Sequence, residues 1–362
     1  MFIFYMSEAG LIVALPRRIA PRLRPQTVHD SPKEAAMRKR GWPHLLAAGV
    51  VLAGFASIPQ SASSGDWPER TVRIITPFAP GISVDVAART LAEGLAKRWN
   101  QPVVVENRPG ADTMIGTQAF LDMRDSHALL FTTHSTFTVV PLLRAKVGYD
   151  PVGDVQPISL AVEDFLSVVV SPKLEIGSLA EFVALARKTP TELNFYAVPG
   201  APYLAYLAFQ QRAGVNTTFV AYNNPVGAVS DLSEGRIHIA VMPLASVLGA
   251  VHAEKVRLIA VTNAMRSPAA PTVPTVAESG FPDFTFGGFL GLFGAKDTPA
   301  HLRERIASEV RAILDEPEVQ ARLTNVGLIA RGTTPAEFAA VMETQRLKWS
   351  AIAREHHIKP QP

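Results

Sequence analysis

Val72-Arg-Ile-Ile-Thr-Pro-Phe-Ala-Pro-Gly-Ile-Ser-Val-Asp-Val-Ala-Ala-Arg-Thr-Leu-Ala-Glu-Gly-Leu-Ala-Lys-Arg-Trp99 contains a strand, a turn and a helix in that order. The apolar run to Phe78 predicts a buried strand, and Pro80-Gly81 is turn chemistry. Ser83 stands where a helix cap belongs. Ala87, Leu91, Leu95 and Trp99 recur at every fourth position, which places them on one helix face.

The same rhythm continues downstream. Strands are expected at 103–106, 128–132, 155–161, 165–170, 193–198, 218–222, 237–242 and 256–262, with helices between most of them. Ser178-Leu-Ala-Glu181 and Thr334-Pro-Ala-Glu337 are capping boxes, and Thr298-Pro299 pairs a cap with proline at the first helical position. This alternation predicts an α/β protein whose sheets are mostly parallel and flanked by helices. The strands fall into two similar sets. The chain is expected to cross between them twice, near 161–170 and near 284–293, giving lobe 1 as 65–165 plus 286–362 and lobe 2 as 166–285. Two crossings make a hinge, and ligands of open α/β sheets sit outside the carboxyl ends of the strands.

The 362 residues carry a formal charge of +3, but unevenly. Residues 1–40 hold eight Lys/Arg against three acids, so the rest of the chain is slightly acidic and has no general electrostatic reason to bind nucleic acid. Met37-Arg-Lys-Arg40, the apolar stretch 45–56 and the small residues to Ser64 have the layout of a secretory signal. Residues 37–64 are therefore expected to be a signal peptide directing export to the periplasm, with 1–36 an extension ahead of the true start. The absence of cysteine excludes disulfides, thiol chemistry and a cysteine-linked lipid.

Trp67-Pro-Glu-Arg, Asp85-Val-Ala-Ala-Arg89, Gln101-Pro-Val-Val-Val-Glu-Asn-Arg-Pro-Gly-Ala111 and Ile115-Gly116 together resemble the Bug-type receptors of tripartite tricarboxylate transporters. The likeness continues through Val220-Ala-Tyr222, Asp231-Leu-Ser-Glu-Gly235, Leu258-Ile-Ala-Val-Thr262, Val273-Pro-Thr-Val-Ala-Glu-Ser-Gly280 and Trp349. It implies a two-lobed periplasmic-binding-protein fold of type II. It also implies a monomer that takes up a carboxylate or related small metabolite for a membrane permease, with no cofactor and no metal.

A strand ending at Phe78 and a helix opening after Ser83 present free backbone N–H groups that suit a carboxylate. The candidate ligand-binding residues in the first lobe are Pro80, Gly81, Ser83, Val84, Asp85, Thr133 and His134. Gly200, Ala201, Tyr203, Tyr222 and Asn223 occupy the matching loops of the second. For Asp85 a structural role is favoured, accepting N–H groups of a neighbouring loop, because contact with an anion is repulsive. Ser83 has a plain alternative as a helix cap, and His134 as a packing residue.

The chain departs from the family pattern at Ile82, Asp112, Thr113, the segment Gly200-Ala-Pro-Tyr203 and Asn223-Asn224. The lost small residues and the added bulk of Tyr203 count against the usual dicarboxylate and point to an atypical or less acidic ligand. An enzyme is not expected. There is no HExxH, no phosphate-binding loop, and Gly81-Ile-Ser-Val-Asp85 lacks the last glycine of a nucleophile elbow. A ligand sensor that signals to a membrane kinase is the alternative to a transport receptor, and an envelope protein with no ligand is a third class.

Overall fold

The computed structural model describes residues 67–222 and 225–360, all within one compact unit. The expected extension and signal peptide lie outside the described residues. The elements in chain order are β1 (Val72–Thr76), α1 (Ser83–Trp99), β2 (Val103–Asn107), α2 (Met114–Met123), β3 (Ala128–Thr133), α3 (Ser135–Thr138), α4 (Val140–Leu143), β4 (Val155–Asp164), β5 (Leu166–Val170), α5 (Leu179–Lys188) and β6 (Asn194–Ala197). They continue with α6 (Ala201–Ala213), β7 (Thr218–Phe219), α7 (Pro225–Ser233), β8 (Ile239–Pro243), α8 (Leu244–His252), β9 (Arg257–Val261), β10 (Gly288–Ala295), α9 (Ala300–Leu314), α10 (Pro317–Asn325), β11 (Leu328–Ala330) and α11 (Pro335–Glu355).

The strands form two sheets, six-stranded in the order β11-β4-β10-β3-β1-β2 and five-stranded in the order β7-β6-β8-β5-β9. This is the two-lobed α/β architecture expected of a periplasmic binding protein. Both sheets are mixed. β1 pairs in parallel with β2 and β3, and β6 with β7 and β8. β10 runs antiparallel to β3 and β4, and β5 antiparallel to β8 and β9. The reason is directional. The parallel strands end at the space between the sheets, whereas β5 and β10 enter their sheets from it and must run the other way.

One residue, the fully buried Phe165, separates β4 from β5, and residues 262–287 return the chain to β10. Asn263 ties the two crossings together. Its Oδ1 accepts from Leu166 N at 3.3 Å and its Nδ2 donates to Asp164 O at 3.1 Å.

Ala87, Leu91, Leu95 and Trp99 are all buried on α1, packed with Ile74, Leu129 and Leu292 of the sheet and Ile306, Val310 and Ile313 of α9. Each of the buried leucines, isoleucines and valines contributes roughly 1.5–3 kcal/mol on burial. On the opposite face Phe137, Phe293 and Phe338 fill the space under α11. The five-stranded sheet is covered on one face by α5 and α6 through Phe182, Leu204 and Phe209, and on the other by α7 and α8 through Leu232 and Val247.

The capping box expected at α11 forms in full, with Thr334 Oγ1 accepting from Glu337 N at 3.2 Å and Glu337 Oε2 from Thr334 N at 2.8 Å. At α5 Ser178 Oγ caps Glu181 N at 3.2 Å, but Glu181 Oε2 accepts from Gly177 N in place of Ser178 N, so only half of the expected box is made. Two other helix starts differ from expectation. Ser83 is already inside α1, whose cap position is Ile82 with no side-chain cap bond, and the Asp85 carboxylate instead ties down the preceding loop by accepting from Gly81 N at 2.9 Å. Pro299, in extended conformation, caps α9 in place of Thr298. Among the described residues no helix is long and apolar enough to cross a membrane.

Candidate functional site

A cavity of about 350 Å³ lies where the two sheets meet. Pro77 and Phe78 beyond β1, Thr133 and His134 at the end of β3, and Asp164 at the end of β4 supply one wall. Val198, Pro199 and Gly200 beyond β6 and Pro243 at the end of β8 supply the other. The first residues of both entering strands, Leu166 and Gly288, close the floor. Val84 of α1, Thr113 before α2, and Ala201 and Pro202 of α6 also line it, so helix starts from both sheets reach one space. Such starts carry unpaired N–H groups and partial positive charge.

Gly200 brings the two walls together. It has φ +104°, and a Cβ there would sit 3.1 Å from Ser135 Oγ. Glycine meets both the left-handed backbone and the close approach.

The polar groups form two clusters. Thr136 Oγ1 lies 2.8 Å from Thr132 Oγ1 and 2.9 Å from Thr113 Oγ1, while Tyr149 OH donates to Thr136 O at 2.7 Å. Asp112 is answered by Arg144, whose Nε and Nη2 donate to its carboxylate at 2.9 and 2.6 Å.

His134 is buried, its ring 4.5 Å from that of Phe289. Burial, with Lys348 nearby, pushes its imidazole down to about 3, so it is neutral. Thr138 Oγ1 donates to His134 O at 3.0 Å and lies 3.0 Å from His134 Nδ1. With the threonine proton committed to the carbonyl, we assign the ring proton to Nδ1. Nε2 is then an acceptor, and it has no hydrogen-bond partner among the described residues.

Of the residues expected from the sequence, Val84, Thr133, His134, Gly200 and Ala201 line the cavity. Pro80 and Gly81 are exposed outside the lining, and Ser83 and Asp85 are outside it too. The cause is a clamp. Asp85 is buried and accepts from Gly81 N, Arg89 Nε and Asn107 Nδ2, each at 2.9 Å. Burial pushes its carboxyl up, but those three bonds outweigh burial and hold it below the usual carboxylate range.

Tyr203 is turned into the aromatic packing of Phe195 and Phe219. Tyr222 gives its hydroxyl to the Asp231 carboxylate and its ring to Tyr196, so neither tyrosine lines the cavity. Asn223 lies outside the described residues. Asp164, Thr136 and Phe289 are lining residues that sequence reasoning missed. The available signal was position, because Asp164 stands immediately before the buried crossing residue Phe165.

Residues 87–358 match the tripartite tricarboxylate transporter family receptor (TctC) family. The chain belongs to this family. TctC members are solute-binding receptors and not enzymes, which accords with the Bug-type motifs of the sequence. Protein BugT of Bordetella pertussis is 30% identical over 86% of this chain and 97% of its own length. Among solved structures, an R. palustris protein with adipate is 27% identical, covering 82% of this chain and 100% of its own, with a TM-score of 0.74. MatC from Rhodopseudomonas palustris, with bound malate, is 26% identical over 79% of this TctC receptor and 100% of itself, with a TM-score of 0.69.

Proposed function

We propose that this receptor takes up a small organic acid in the cavity between its lobes and delivers it to the permease of a tripartite transporter from the periplasm. The observation that carries this reading is the meeting, in one space, of helix starts from both lobes with the hydroxyls of Thr113, Thr133, Ser135 and Thr136 from the first. The first-lobe residues Val84, Thr133 and His134 and the second-lobe residues Gly200 and Ala201 are the proposed contacts. A ligand touching both walls favours the closed arrangement by its differential contacts. The adipate and malate named for two structural neighbours support a carboxylate as the class of ligand.

A thermal-shift screen of mono-, di- and tricarboxylates, aromatic acids and amides tests the reading. A true ligand at a hundredfold excess over its Kd adds about 2.7 kcal/mol of stability. Ser135→Ala, at the cavity, should then weaken that ligand roughly fivefold, the worth of about one hydrogen bond. Ser83→Ala, outside the lining, should leave affinity unchanged. A panel in which no acid raises the melting temperature sinks the reading.

A further inference from the structure

Asp164 sits in the wall of the cavity beside the crossing between the sheets, and its Oδ1 is buried with no hydrogen-bond partner. An unsatisfied buried acceptor of this kind costs about 1–3 kcal/mol and calls for an explanation. The remaining ionisable groups of the lining do not supply one. Asp112 is occupied by Arg144, and His134 is neutral with its own unpartnered acceptor at Nε2. No lysine or arginine is among the lining residues. Opposite Asp164 in the sheet are Gly288 of β10 and Leu328 of β11, neither of which titrates. Nearby Lys348 is committed to Thr285 O, and Glu163 to Arg331.

A cavity with two free acceptors, one of them a carboxylate, and no cationic side chain is short of a positively charged donor. We propose that Asp164 is the anchor for an ammonium group, so that the ligand is an acid that also carries a protonated amine. This rests on the reading of the cavity as a carboxylate site. The acid end takes the helix starts and hydroxyls, and the ammonium takes Asp164. A second carboxylate in the same place meets a like charge, or must bring a proton with it. Burial pushes the Asp164 carboxyl up to about 7 against the pull of the Phe165 amide, so the empty receptor is partly protonated near neutral pH. An ammonium ligand expels that proton, and a dicarboxylate takes one up.

Isothermal titration of the purified receptor tests this with four acids: hexanoate, 6-aminohexanoate, adipate and leucine. The experiment is run at pH 7 in two buffers of different ionisation enthalpy. One of the two ammonium acids should bind at least tenfold tighter than both hexanoate and adipate, with release of protons. Asp164→Asn should shrink that ratio below threefold; Asp164→Ser serves the same comparison should the first variant not fold, and proton release is read on the unaltered protein. Hexanoate or adipate binding as tightly as both ammonium acids, proton uptake with the ammonium acid, or a ratio unchanged in the variant overturns the proposal and leaves the carboxylate reading standing. No binding of any acid, here or in the wider panel, overturns both.

Discussion

Asp85 in the first turn of α1 and Asp164 at the end of β4 show how environment assigns a carboxylate its role. Asp85 is surrounded by three donors and stays ionised as the clamp of the loop before α1, whereas Asp164 has an oxygen that nothing in the protein answers. The second case makes stability depend on pH. The folded value of Asp164, about 7, is above the ordinary value, so the stability it contributes is complete in acid and is lost as pH rises through 7. His134 acts in the opposite sense. Its folded value of about 3 is below the ordinary one, so its stability is complete at neutral pH and is lost as pH falls below about 6.5. Between roughly pH 4 and 6.5 the two slopes offset each other. Denaturant melts of Asp164→Asn against the parent should therefore show the variant gaining relative stability with rising pH, by up to about 1.4 kcal/mol per unit from pH 4 to 7. A pH-independent difference would show that Asp164 ionises freely in the folded state.

At the scale of elements, α11 links the two halves of the molecule. Its early residue Phe338 packs against Phe289 and Phe293 of β10, close enough that a Cβ on Gly291 would come within 2.2 Å of the ring. Its later residue Trp349 is fully buried against Phe286 in the return segment. Lys348 holds the same region, with Nζ 4.0 Å from the Phe286 ring centre. The helix is started by the Thr334 and Glu337 box, which answers donors at both ends of the first turn. Thr334→Ala should cost about 0.5–2 kcal/mol in chemical denaturation. Because Thr334 is outside the cavity lining, ligand affinity should stay the same; a large loss of affinity would mean that the first turn of α11 sets the position of the cavity wall.

For the whole molecule, the junction decides what motion is available. Phe165 is buried, Asn263 bonds both crossings, and Phe286 N donates to Thr262 O at 2.8 Å. Rotation there is confined to a few backbone torsions at element ends, which is hinge behaviour and not the wandering of a linker. Small-angle scattering should show a smaller radius of gyration once an acid identified in the screen saturates the receptor. Superimposable curves with and without that acid would remove closure from the account of binding.

What the sequence determined by itself is local. Ala87, Leu91, Leu95 and Trp99 had to share a face because the helix repeats every 3.6 residues, and Ser178 and Thr334 had to cap because their partners are three residues away. Strand and helix alternation, read from the same short-range patterns, gave the α/β class and the two sets of strands. The direction of β5 and β10 was not legible, since it depends on which sheet a strand enters and from which side. Cavity membership was decided only by tertiary structure. Ser83 and Val84 are neighbours in the chain, yet one turn of backbone puts only Val84 in the lining, and Tyr203 is claimed by Phe195 and Phe219 from elsewhere in the fold. Asp164, unremarkable at the end of an apolar strand, is left with one buried oxygen unanswered because the packing at the sheet junction supplies its carboxyl with the Phe165 amide and no donor for Oδ1.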